Sequence, residues 1–143
     1  MQAQMLAPAA ALVAWSMIML LWMAATRLPL IFKMGGLGKV KPGGRGQDLE
    51  GVLPDKVQWK SHNFTHLMEQ PTIYYAAVVI IAIMGAEALD VTMAWVYLIA
   101  RVLHSLWQAL VNTVPVRFSL FMVCNLALLY LAYRAVMVTM GAA

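Results

Sequence analysis

Two groups of polar residues lie inside or beside long apolar stretches of this chain, the first in HNFTHLMEQP (62–71) and the second in ARVLHSLWQ (100–108). Members of each group are three or four residues apart, so on a helix each group occupies one face. Imidazoles, a carboxylate and a guanidinium in such a pattern can bind an anion, move protons or hold a metal ion. The polar members are His62, His66, Glu69, Arg101, His104 and Gln108.

The elements that carry these residues have the composition of membrane spans. Of the 143 residues, 63% are hydrophobic and 11% are charged, whereas soluble domains usually carry about 25% charged residues. A helix of about 20 apolar residues crosses a hydrocarbon core of about 30 Å. The sequence therefore predicts an all-α integral membrane protein, a four-transmembrane-helix bundle that forms a single domain over 1–143. The predicted helices cover about 6–26, 62–86, 92–111 and 118–139, with a basic loop at 27–61.

The distribution of charge predicts the orientation in the membrane. The 27–61 loop contains seven lysines and arginines against three acids, whereas the connection at 87–90 has only acids. By the positive-inside rule the basic loop faces the cytoplasm, and both termini lie on the other side. The basic balance is thus a topogenic signal, and the expected partner is the lipid bilayer and not a nucleic acid.

Depth places the polar residues in one layer. Glu69 and Gln108 lie about one turn inside the cytoplasmic ends of their helices and His104 about two, at a rise of about 1.5 Å per residue. Arg101 lies near the middle of its apolar stretch, where an arginine costs roughly 2.5–3.5 kcal/mol on insertion scales. An ion pair with Glu69 would offset much of that cost. Arg117 stands at the cytoplasmic start of the fourth helix.

Three interpretations of this layer remain open. It can be a ligand site, or a Glu69–Arg101 strut that fixes the order of the helices. The third is a metal site, because His62 and His66 have the i, i+4 spacing that suits zinc. An HExxH motif would need glutamate where Asn63 stands, and we expect no metal. Pro71 has no backbone N–H, so the carbonyl of Leu67 lacks its helical hydrogen bond beside this layer.

Two stretches resemble the membrane-associated proteins in eicosanoid and glutathione metabolism, the MAPEG family. HLMEQP (66–71) resembles the family's N-x-x-E motif followed closely by proline. ARVLHSLWQALVNTVPVRF (100–118) resembles the third helix and the following turn, most of all those of microsomal prostaglandin E synthase. The resemblance covers about 61–133.

The resemblance implies a homotrimer that binds glutathione between adjacent subunits, in the cytoplasmic half of the membrane. By position, Glu69 would contact the glutathione backbone and Arg117 would be catalytic, stabilising the thiolate. Arg101 and His104 would line the same pocket. The implied function is a glutathione-dependent transferase or peroxidase acting on a lipophilic small-molecule substrate that arrives through the bilayer. The alternative is a non-catalytic structural or accessory membrane subunit.

The chain departs from the family pattern at four positions. His66 replaces the asparagine of N-x-x-E, and His62 replaces the arginine usually found one turn earlier. Gln108 replaces a tyrosine, and Phe118 replaces the serine that follows the arginine in the prostaglandin branch. We expect His62, His66 and Gln108 to provide polar contacts to glutathione in place of the family's own groups.

Overall fold

Helices make up almost the whole of the computed structural model, which describes residues 1–141 and has no β-strand among them. Four segments are long and apolar enough to cross a membrane, namely Gln2–Lys33, Asp55–Met84, Ala88–Leu110 and Val114–Met140. The predicted all-α bundle of an integral, multi-pass membrane protein is therefore confirmed. The helices are α1 (Gln2–Lys33), α2 (Asp55–Leu67), α3 (Pro71–Met84), α4 (Ala88–Leu110) and α5 (Val114–Met140).

The second span is two helices and not the single helix predicted over 62–86. Pro71 is the first residue of α3, a position that tolerates a residue without a backbone N–H. Between α2 and α3 the chain turns at 68–70 through short-range bonds. The Glu69 N–H donates to the His66 carbonyl and the Thr72 N–H donates to the Glu69 carbonyl, both at 3.3 Å. The break thus comes from the missing donor of Pro71 and its steric conflict with the preceding turn.

The connection between α1 and α2 is shorter than the loop predicted over 27–61. It runs from 34 to 54 and contains two 3₁₀ turns, Leu37–Lys39 and Gly46–Leu49. Hydropathy marks where apolar residues stop, whereas arginine and lysine are good helix formers. Both flanking helices therefore continue through basic residues beyond the apolar stretches.

Helix α4 is the centre of the bundle and packs against α1, α2 and α5. Ala94, Ala100 and Ala109 are buried on it, and such small side chains let neighbouring helices approach closely. Tyr97 of α4 stacks on Tyr74 of α3 with ring centroids 4.2 Å apart. The Tyr74 hydroxyl donates to the Ala94 carbonyl at 3.1 Å. These contacts set the position of α4, which carries half of the polar layer.

A buried carboxylate joins α4 to α5 at the end of the bundle away from the 34–54 connection. Asp90 accepts hydrogen bonds from Arg134 Nε (2.8 Å) and Nη2 (2.9 Å). It also accepts one from the Tyr130 hydroxyl at 3.0 Å. A bidentate interaction between a guanidinium and a carboxylate is strong and directional, so this ion pair holds the two helices in register.

The outer surface of the bundle is apolar. Ile83 is 70% exposed and Leu129 is 68% exposed. A surface of this kind is unfavourable in water and suits the lipid tails of a bilayer.

Candidate intramembrane ligand site

The inward face of α4 carries the second polar group. Arg101 is fully buried, and His104 and Gln108 are 2% and 6% exposed. Their shared face follows from the i, i+3, i+7 spacing in the sequence. Ser105, on the same helix, accepts a hydrogen bond from the Trp15 indole of α1 at 3.0 Å, which holds this face against the first helix.

Arg101 is bonded to His66 and not to Glu69. Its Nη2 donates to the His66 carbonyl at 2.6 Å and also contacts His66 Nδ1. Within residues 1–141, Glu69 forms no ion pair with Arg101. The prediction of that pair was wrong because α2 ends at Leu67 and the turn at 68–70 leaves Glu69 exposed. The last carbonyls of a helix lack intrahelical partners and form the negative end of its dipole, so Arg101 caps α2.

His66 is enclosed by two further rings. Its imidazole stacks on that of His104, with centroids 5.0 Å apart and an interplanar angle of 26°. The edge of Phe121 of α5 meets it at 5.4 Å. The two polar groups found in the sequence are therefore in direct contact through His66.

Several buried polar atoms of this layer have no hydrogen-bond partner within the part of the chain that the structure describes. They are Nε and Nη1 of Arg101, Nδ1 of His104 and Oε1 of Gln108. An unpaired buried polar atom costs about 1–3 kcal/mol, and a bound polar ligand or an ordered water is what satisfies such atoms. The layer therefore has unused capacity to bind a polar molecule.

A polar cleft of about 630 Å³ opens from the layer toward the 34–54 connection. Four of the residues singled out in the sequence line it, namely His62, His66, Glu69 and Gln108. Pockets that hold small molecules usually measure about 300–1,000 Å³, so this cleft has room for a small peptide.

A second, smaller pocket of about 180 Å³ lies on the other side of His66. It contains Arg117 and His104, with apolar walls that include Phe118 and Phe121. Arg117 Nη1 donates to the Asn112 side-chain oxygen at 2.6 Å. The structure thus divides the predicted site residues between two cavities that share His66. Arg101 lies buried beneath His66 and lines neither cavity.

Three residues of the cleft region were missed by sequence reasoning. Arg27 lines the cleft, and its Nη2 donates to Gln58 Oε1 at 3.0 Å and to the Gly46 carbonyl at 2.7 Å. Glu50 also lines it and is paired with His62. Gln58 was detectable, because it stands four residues before His62 on the same helical face. Glu50 had no such signal, since it comes from the irregular connection.

The two histidines of HNFTHLME have different partners. His62 is paired with Glu50, and His66 is bonded to Arg101. In residues 1–141, no three His, Cys, Asp or Glu side chains are grouped as metal ligands would be.

Fold and site together define an α-helical membrane protein with a polar site in one half of its bundle. Residues 5–137 match the sequence model of the MAPEG family, and the chain belongs to that family. The family includes glutathione transferases and peroxidases as well as non-catalytic members. Comparisons with curated proteins and with solved structures found no match.

Proposed function

We propose that the protein is a membrane-embedded, glutathione-dependent transferase or peroxidase that acts on a lipophilic electrophile. The observation that carries this proposal is the pair of adjoining cavities on the two sides of His66. One cavity is large and is lined mainly by polar and charged residues, and the other contains Arg117 and His104 beside apolar residues. Adjoining cavities can hold a water-soluble thiol and a lipid-soluble molecule side by side, and this proximity favours their reaction.

The residues of the large cleft fit glutathione by their chemistry. Glutathione carries an ammonium, two carboxylates and two amides, so it needs both cationic and anionic partners. Glu69 provides a carboxylate for the ammonium, and Arg27 provides a cation at the rim. The unpaired Oε1 of Gln108 supplies a further acceptor in the cleft, whereas Arg101, buried beneath His66, holds that residue in place.

Arg117 is the catalytic residue of this proposal. When bound, glutathione supplies the nucleophilic thiol, whose ordinary pKa of about 8.5 is lowered by a nearby cation. Arg117 stabilises the negative charge on the sulfur, and the bond to Asn112 holds the guanidinium in place beforehand. Val114 and Phe118 offer apolar contact to a substrate that enters from the bilayer.

The assembly and orientation that accompany this function are proposals as well. We propose a homotrimer, as the family resemblance implies, with glutathione bound where subunits adjoin. The 34–54 connection lies on the cytoplasmic side, and both termini lie on the opposite side. This arrangement gives glutathione access to the cleft from the cytoplasm.

Calorimetric titration of the detergent-purified protein with glutathione tests the proposal. We expect the wild type to bind, and Arg117→Ala to bind at least about 10-fold more weakly, the effect of losing one charge-assisted hydrogen bond. Lys56→Ala is the matched control, because Lys56 is an exposed cation of α2 that lines neither cavity. Equal binding by wild type and Arg117→Ala would remove Arg117 from the mechanism.

A non-catalytic structural or accessory subunit is the second candidate. The bond from Arg101 to His66 favours it, because part of the polar layer already serves to hold α4 against α2. This candidate predicts no glutathione binding by the wild type, together with loss of assembly when Arg101 is replaced.

A further inference from the structure

The connection between α1 and α2 encloses an apolar pocket of about 280 Å³ beside the end of α1. Ile31, on the last turns of α1, forms one wall. Leu37, Val40 and Leu49 of the connection form the others. This pocket shares Arg27 and Gly46 with the polar cleft, but its other lining residues belong to neither the cleft nor the Arg117 pocket, and the glutathione proposal makes no use of them.

The rim of this loop pocket is basic. Arg27, Lys41 and Arg45 line it together with Asp48. The Asp48 carboxylate accepts the backbone N–H of Arg45 at 2.8 Å. In the part of the chain that the structure describes, the side chains of Lys41 and Arg45 have no carboxylate within ion-pairing distance. Lys41 and Arg45 therefore lie at the pocket without an ion-pair partner, and the three cations there outnumber the one carboxylate.

Large apolar side chains around the loop pocket are exposed. Phe32 is 60% exposed, Leu37 is 59% exposed and Val40 is 51% exposed. Lys33 and Lys39 alternate with them along the chain. Apolar side chains interleaved with lysines are typical of segments that lie in the headgroup region of a bilayer. Since α1 leaves its apolar span here, the lipid surface is the material closest to these side chains.

We infer that the loop pocket binds an anionic phospholipid from the leaflet next to this end of the bundle. Lys41 and Arg45 bind the phosphate, and part of an acyl chain packs against Leu37 and Val40. The excess of positive charge at the pocket selects an anionic headgroup. The apolar walls select a lipid over a free anion, because burying apolar side chains against a hydrocarbon chain is energetically favourable.

Binding of two short-chain lipids to the detergent-purified full chain tests this inference. The probes are phosphatidylglycerol and phosphatidylcholine with identical acyl chains, titrated by calorimetry. We expect the wild type to prefer phosphatidylglycerol. Removing each cation should weaken that preference about 5-fold, so Lys41→Gln combined with Arg45→Gln should weaken it about 25-fold. Lys56→Gln, which removes an exposed cation outside the pocket, should keep the preference.

Three results would overturn the inference. The wild type would bind both lipids equally, or the double variant would keep the full preference. In the third, inorganic phosphate titrated alone would bind as tightly as phosphatidylglycerol, which would make the site an anion site without a lipid component. Because Lys41 and Arg45 are outside the polar cleft's lining, glutathione binding by the double variant distinguishes failure here from failure of the proposed function.

Discussion

The imidazole of His66 makes three contacts at once: with the Arg101 guanidinium, with the His104 ring and with the edge of Phe121. It also separates the polar cleft from the Arg117 pocket. An asparagine, which the family motif has at this position, is smaller and would leave more space between the cavities. The histidine therefore couples the anchoring of Arg101 to the shape of the site.

At the residue scale, the contacts of Arg101 and Glu69 predict different effects on stability. Arg101→Ala should lower the free energy of unfolding by about 2–5 kcal/mol, because it leaves a cavity and an uncapped end of α2. Glu69→Gln should change it by less than about 0.5 kcal/mol, since Glu69 is exposed and unpaired in residues 1–141. Denaturant unfolding in detergent, followed by circular dichroism, measures both.

Leu103→Ala is the control for that comparison, because Leu103 lies on the outer face of α4 and is 50% exposed. A loss of stability in Glu69→Gln as large as that in Arg101→Ala would contradict the structure. It would mean that the carboxylate does reach the guanidinium, as the two charges alone suggest.

At the scale of elements, the break between α2 and α3 positions the cleft. The turn at 68–70 places Glu69 at the cleft, and it exposes the end of α2 to Arg101. A continuous helix would keep its carbonyls bonded internally and would point residue 69 in another direction. Pro71 is the cause of the break, since it has no backbone N–H to continue the ladder.

Pro71→Ala should therefore extend the helix through the turn. The new N–H can bond to the Leu67 carbonyl, so the amides of 68–73 should exchange hydrogen more slowly. Glutathione binding should weaken, because Glu69 leaves its place in the cleft. Hydrogen exchange followed by mass spectrometry measures the first effect, and calorimetry measures the second.

Pro8→Ala is the matched control, since it replaces a proline inside α1 at the end of that helix away from Arg27 and the cleft. It should change exchange in α1 alone. Unchanged exchange at 68–73 in Pro71→Ala would show that something other than the proline breaks the second span.

At the scale of the whole molecule, the basic loop predicts the orientation in the membrane. A cysteine at position 38 should react with a membrane-impermeant maleimide from the cytoplasmic side only, and a cysteine at position 89 from the opposite side only. Gly38→Cys is suitable because a Cβ there would meet no other atom within 4 Å. Leu89→Cys is suitable because Leu89 is 50% exposed.

The natural Cys124 is fully buried, so the unmodified protein serves as a control with little labelling. Labelling of position 38 from the non-cytoplasmic side would show that the protein has the opposite topology to the predicted one. It would also place the polar cleft away from cytoplasmic glutathione, which would count against the proposed function.

Local sequence pattern was enough to predict the four spans and the polar face of α4, but not the position of Glu69, which lies in the turn after α2. Apolar length determines what can cross a bilayer, and helical periodicity determines which residues share a face. Arg101, His104 and Gln108 are buried on one face for that reason. The ends of the helices were less predictable. Hydropathy shows where a segment leaves the membrane, whereas a helix ends where its backbone hydrogen bonds stop.

The sequence by itself determined the class of fold, the family and the polar face of α4, because each of these depends on composition, on a local motif or on spacing along one helix. Only the tertiary structure decided that Arg101 bonds to His66, that Glu50 and Arg27 join the cleft, and that His66 stands between two cavities. These contacts join residues that are distant along the chain. Their geometry depends on where Pro71 ends one helix and on how α2, α4 and α5 pack, and no local pattern contains that information.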